Sequence, residues 1–180
     1  MLHSFAAAST AHANVYSLMF TLVEVVGVRI EMPSNQPIVL LKEMEGTTFL
    51  PIWVGSVEAT AIAFAQQDLR PQRPLTHDLI VSILDALDAS LTAVHITDMV
   101  DGIFYAELVV RGPQGALDPI SVRPSDAIAI ALRTKSNILV SQELLERSGI
   151  QIPAGEEGQS EEEVEAFREF LDQINPEDFI

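Results

Sequence analysis

The sequence predicts a single-domain α+β fold, with a mixed or antiparallel sheet built from hairpins and helices packed against it. Three observations lead there. Apolar, β-branched runs come in pairs joined by turn residues, whereas regular βαβ units would alternate single strands with helices. Segments rich in Ala and Leu, with helical spacing of their apolar residues, separate the pairs. The chain has 180 residues, 48% of them hydrophobic, which suits one substantial core and leaves little room for a second domain.

The elements follow in order. Thr21 to Ile30 is a β-branched strand, and Pro33-Ser34-Asn35-Gln36-Pro37 is turn chemistry. Ile38 to Lys42 and Thr47 to Val54 are the next two strands, joined by a turn at Glu43 to Gly46. Pro51 cannot donate to a ladder, so its position is expected at an edge or a bulge. Glu58 to Gln67 is an Ala-rich helix with Ser56 as expected N-cap. After the loop Asp68 to Pro74, Thr76 is the expected N-cap of a second helix, with Leu75 and Ile80 as its hydrophobic staple. Leu79, Ile80, Ile83, Leu84 and Leu87 form one helical stripe there. Leu91 to Met99 and Ile103 to Val110 form a hairpin around Asp101-Gly102, a pair suited to a tight turn with positive φ. Ile120 to Val122 is a short strand, Ser125 to Thr134 a helix, Ile138 to Val140 a strand, and Gln142 to Arg147 a helix stopped by Gly149. Residues 1–18 are expected to be a disordered extension and 19–154 the folded domain. Residues 155–180 are an acidic linker followed by an amphipathic helix through Val164, Phe167, Phe170, Leu171 and Ile174.

Charge and composition exclude several classes. The formal charge is −16, of which residues 155–180 carry −9 through ten acidic side chains against Arg168 alone. Such a surface repels polyanions, which speaks against a protein that coats nucleic acid. It leaves open a nuclease that reaches phosphate through a divalent metal or a local arginine cluster. The absence of cysteine removes disulfides, thiolate zinc sites and thiol nucleophiles, so a metal site must use oxygen and histidine. No run is long enough to span a membrane, and the start lacks the basic residues of a secretory signal, so a cytoplasmic location is expected. The high apolar content also suggests a subunit interface.

The most informative pattern is a recurrence. Arg70, Arg73 and Arg123 each stand directly before proline. Two of these steps lead into a hydroxyl residue, an aspartate and a helix start: Arg73-Pro74-Leu75-Thr76-His77-Asp78 and Arg123-Pro124-Ser125-Asp126. Each holds a guanidinium beside a helix N-terminus, where free N–H groups and the dipole favour anions. The competing reading is structural: Thr76 and Ser125 cap, Asp78 and Asp126 complement the dipole, and the arginines pair with those aspartates. His77 is a candidate base, although adjacent helical residues point about 100° apart and so cannot both ligate one ion. Glu58, Asp78 and Asp126 are candidate ligands for Mg²⁺ or Mn²⁺. Trp53 could stack on a base or serve the core. No P-loop, dinucleotide fingerprint, nucleophile elbow or zinc-type histidine spacing is present.

Four separated segments resemble the bifunctional nuclease domain family, long catalogued as a bacterial domain of unknown function. They are Pro33 to Pro37 with its following strand, Leu50 to Ala59, Arg73 to Leu79 and Val122 to Ala131. The likeness runs from about Met19 to the end, including Val164 to Asp172 and Asn175 to Phe179. It implies an α+β fold, assembly as an oligomer, most simply a homodimer, and nuclease activity on DNA and RNA such as is attributed to plant relatives.

Two functions follow. In the first, a metal-dependent nuclease, Glu58, Asp78 and Asp126 hold the metal and His77 serves water. Arg73 and Arg123, with Thr76 and Ser125, hold the scissile phosphate. In the second, the same turns recognise a small anionic ligand or a protein partner without catalysis.

Overall fold

A computed structural model describes residues 19–31 and 34–151; the expected extension, part of the 33–37 turn, the acidic linker and the terminal helix lie outside them. Among the described residues nine strands form one mixed sheet. They are β1 (Phe20–Ile30), β2 (Pro37–Glu43), β3 (Thr48–Trp53), β4 (Ser90–Val100), β5 (Ile103–Gly112), β6 (Gly115–Ala116), β7 (Ile120–Val122), β8 (Asn137–Ser141) and β9 (Ile150–Gln151). The described residues hold four helices: α1 (Ser56–Gln66), α2 (Thr76–Ala86), α3 (Pro124–Thr134) and α4 (Gln142–Ser148).

The sheet order is β6-β5-β4-β8-β1-β2-β3-β9, with β7 also on β5. It is two hairpin assemblies joined at β8. One contains β1, β2, β3 and β9, all antiparallel. The other is the β4–β5 hairpin with β6 and β7 on its far edge. Between them, β8 runs antiparallel to β1 and parallel to β4, so the α+β expectation of a mixed sheet holds. The turn between β4 and β5 places Asp101 at φ 50° and Gly102 at φ 76°, the two left-handed residues of a tight hairpin. Pro51 sits on β3 beyond Thr48 and Phe49, the residues that β9 reaches, so its missing N–H interrupts no ladder on that side.

The core lies between sheet and helices. Ala127, Ile128, Ala129, Ile130 and Ala131 of α3 are all fully buried, so this helix is covered on several sides. It packs against α1, α2, β4, β5 and β8, and the small side chains at 127, 129 and 131 let those neighbours come close. The stripe on α2 divides. Ile80 and Leu84 pack on the core, joined there by Val81 from outside the stripe, while Leu79, Ile83 and Leu87 remain about half exposed or more. Five apolar residues on two turns span a wider arc than one contact covers.

All three long helices end on a left-handed residue that is not glycine: Asp68, Asp88 and Lys135, at φ 51°, 51° and 56°. The ends are closed by the amides that follow, Leu69 N–H to Phe64 O, Ala89 N–H to Leu84 O and Ser136 N–H to Ala131 O. Left-handed backbone costs a side-chain-bearing residue energy that glycine avoids. Replacing exposed Asp88 by glycine is therefore expected to raise stability by about 0.5 kcal/mol, measured by urea denaturation.

Candidate functional site

The three long helices start alike. Gly55, Leu75 and Arg123 are the N-cap residues, none using a side-chain cap, and the first turns carry Glu58, Asp78 and Asp126 at the third helical position of each. This corrects the expected caps at Ser56, Thr76 and Ser125. Each helix begins one or two residues earlier than a hydroxyl cap requires. Pro124 supplies a pre-set φ at the first position of α3. In α2, Asp78 reaches back and its Oδ2 accepts the Leu75 N–H at 2.8 Å, which replaces the Thr76 cap. Leu75 is thus the cap itself rather than the residue before it, so the expected staple with Ile80 does not form in that register.

The starts of α1, α2 and α3 are tied together by side chains. His77 Nε2 lies 3.0 Å from Asp126 Oδ1, across 49 residues of sequence. Arg123 Nε and Nη2 donate to the two oxygens of Asp126 at 2.7 and 3.1 Å, a bidentate fork. The same Nη2 reaches Glu58 Oε1 at 2.8 Å. Glu58 in turn folds over the cap residue of its own helix, where a Cβ on Gly55 would collide with Oε2. The side chains of His77 and Asp126 are 9% and 23% exposed, whereas Arg123 is 65% exposed. The guanidinium is the solvent-facing part of the cluster, and the carboxylates lie under it.

Burial raises the pKa of Asp126, but the hydrogen bonds from Arg123 and His77 outweigh it and hold the carboxyl below its ordinary range. An ionised carboxylate only accepts, so His77 Nε2 carries the proton. Arg123 is pushed up, first by its bond to Asp126.

Asp78 belongs to a different contact. Its Oδ1 accepts Arg133 Nε at 2.7 Å, and Arg133 Nη1 donates to Ala61 O at 3.1 Å and Ala129 O at 2.8 Å. Arg133 stands seven residues beyond Asp126 on α3, roughly 10 Å of helix. His77 and Asp78 point to partners at these two stations, as adjacent helical residues must. Burial raises Asp78 as well, yet Arg133 and the Leu75 N–H lower it further, leaving it below the ordinary 3.8.

Of the residues picked from the sequence, Glu58, His77, Arg123 and Asp126 come together. Asp78 and its guanidinium partner sit beside them, but that partner is Arg133 rather than Arg73. Arg73 and Thr76 are exposed, and Arg73 forms no ion pair among the described residues. Ser125 is buried in the first turn of α3. Sequence reasoning missed Arg133, whose one signal was a lone cation in an Ala- and Ile-rich helix, two turns from Asp126. It also missed Glu31, 2% exposed, whose Oε2 accepts from Ser34 Oγ at 2.6 Å and Trp53 Nε1 at 3.3 Å. That bond gives Trp53 a structural partner.

Among the described residues no three His, Asp or Glu side chains form a ready metal-ligand group. Glu58 and Asp126 nonetheless converge on one guanidinium, and two carboxylates with water and substrate phosphate are an ordinary donor set for Mg²⁺.

The bifunctional nuclease domain model matches residues 39–153, which include the whole cluster. An uncharacterized protein of Mycobacterium tuberculosis is 48% identical over 163 residues, 87% of this chain and 96% of that protein. Bifunctional nuclease 1 of Arabidopsis thaliana is 29% identical over 119 residues, 64% of this chain and 37% of that protein. Bifunctional nuclease 2 of Oryza sativa subsp. japonica is 28% identical over 127 residues, 69% of this chain and 39% of that protein. The match covers most of the chain, which therefore belongs to the bifunctional nuclease domain family. It spans little more than a third of the plant proteins' length.

Two tests probe this architecture. Arg133→Ala strips partners from Asp78 and two carbonyls, and is expected to destabilise the fold by about 3 kcal/mol in urea unfolding. Asp78 and Asp126 have lowered folded pKa values, so the unfolded chain binds protons that the folded one does not. Their stabilisation is complete above the ordinary carboxylate value and is lost as pH falls through the lowered one. Asp78→Asn should flatten the fall in stability below about pH 4, measured as urea midpoints from pH 6 to pH 2.5.

Proposed function

We propose that this chain is a nuclease that hydrolyses phosphodiester bonds of DNA and RNA at the Glu58–His77–Arg123–Asp126 cluster. One observation carries the reading: three helix starts bring two carboxylates, a histidine and a solvent-facing arginine into one hydrogen-bonded group. Helix N-termini favour anions, and an exposed guanidinium adds directional phosphate recognition. Family membership and the plant nucleases among its relatives support the reading.

Arg123 contacts the scissile phosphate from above the carboxylates, and Arg73, on the loop before α2, adds a second cation. Thr76 and Ser125 lie in the first turns beside them. His77 donates from Nε2 and holds Asp126 in place, so its role is positioning. A phosphate that reaches Arg123 also meets the negative charge of Glu58 and Asp126. Mg²⁺ or Mn²⁺ held by these two carboxylates would neutralise that charge and polarise the phosphodiester; Asp78, expected as a third ligand, is committed to Arg133 instead. Cytoplasmic residence and a homodimer complete the proposal. No helix of the described residues is long and apolar enough to cross a membrane, and the exposed α2 stripe of Leu79, Ile83 and Leu87 suits a subunit contact.

The test is cleavage of single- and double-stranded DNA and RNA with Mg²⁺, Mn²⁺ or EDTA. It compares wild type with Asp126→Asn and Glu58→Gln, both checked for folding by circular dichroism. A loss of about 100-fold or more in each variant is expected. Cleavage unchanged in both, or none by the wild type with either metal, would remove the nuclease reading and favour a non-catalytic binding protein.

A further inference from the structure

Of the three Arg-Pro steps only Arg123-Pro124 joins the cluster around Asp126. Arg70-Pro71 lies on the loop after α1 and lines a separate cleft of about 680 Å³, between the end of α1, that loop, the start of α2 and the end of α3. This volume is within the range of small-molecule pockets, roughly 300–1,000 Å³. Phe64, Leu69, Val81 and Leu132 supply apolar wall, and Arg70 and Lys135 supply charge. Arg133 and Asp78 line it too, but they satisfy one another. Arg70 and Lys135 are exposed and form no ion pair among the described residues. The chain has only ten Lys and Arg for 26 Asp and Glu, and three of the ten line this cleft.

Two helices end here, and helix C-termini ordinarily repel anions. Here Leu69 N–H caps Phe64 O and Ser136 N–H caps Ala131 O, which mutes that field. Lys135 itself occupies a left-handed position where glycine would be at ease. The position thus carries a cation at some cost in stability, at the rim of the cleft. Asp68 adds a carboxylate acceptor on the same wall.

We infer that this cleft binds a nucleotide unit, its ring against Phe64, Leu69, Val81 and Leu132 and its phosphate on Arg70 and Lys135. A flat apolar ring matches the wall, the exocyclic N–H groups of a base match Asp68, and a phosphate matches the two uncommitted cations. A purely apolar ligand would waste the cations, and a bare phosphate would waste the wall. The same chemistry arrives as a free mononucleotide or as the phosphorylated end of a single strand. The inference does not depend on cleavage at Asp126.

Calorimetric titration in EDTA, where metal-dependent cleavage does not interfere, tests it on the whole chain. The probes are adenosine 5′-monophosphate, a 5′-phosphorylated trinucleotide, inorganic phosphate and adenosine. Lys135→Gly removes the charge and relieves the backbone, so it remains folded, and Arg70→Ser changes an exposed loop residue. Each is expected to weaken binding of a phosphorylated nucleotide about tenfold. Phosphate and adenosine alone should each bind at least about tenfold more weakly than the nucleotide. Tighter binding of the mononucleotide identifies a free nucleotide as the source, and tighter binding of the trinucleotide identifies a strand end. No binding of either below millimolar concentration, or binding indifferent to both variants, overturns the inference.

Discussion

A single guanidinium holds the helical layer together. Arg133 is only 10% exposed, and a buried cation of this kind needs partners for its N–H groups. It finds Asp78 on α2, Ala61 O on α1 and Ala129 O on its own helix. One side chain thereby sets α1 and α2 against α3. His77 is covalently next to Asp78, and Glu58 lies three residues before Ala61. Fixing Asp78 and Ala61 therefore aims His77 and Glu58 toward the start of α3, where Asp126 and Arg123 stand.

The three acidic residues at the helix starts show how one local motif is put to different uses. Each carboxylate sits where a helix dipole stabilises it. Asp78 caps its own helix and binds the structural arginine. Glu58 and Asp126 instead share Arg123, which remains largely in solvent. Their neighbours decide the difference, since Arg133 is surrounded by packed helices and Arg123 caps one. The result is a small arginine-bearing cluster on a chain whose overall charge is strongly negative.

Much of the fold was legible. Asp101-Gly102, the β-branched pairs and the Ala- and Leu-rich helices placed nearly every described element within a residue or two, because turn chemistry and periodicity are local properties. The helix caps were less legible. Ser56, Thr76 and Ser125 are good caps by type, but Pro124 pre-sets the first turn of α3 and Asp78 caps α2 from inside. The stripe on α2 read as one face, and packing against α3 and β4 used only half of it. Arg133 and Glu31 were invisible as site or core residues, because nothing near them in sequence announces the partners that make their burial tolerable.

By itself the amino-acid order determined the element types, the Arg-Pro turns and the acidic first turns, all of which depend on residues within a few positions of one another. Tertiary structure alone decided that β8 joins the two hairpin assemblies, that His77 meets Asp126 across 49 residues, and which arginine each aspartate takes. The physical reason is range. Backbone preference and periodicity act over a turn or a strand, whereas the pairing of buried charges is settled only when packing brings distant elements within hydrogen-bond reach.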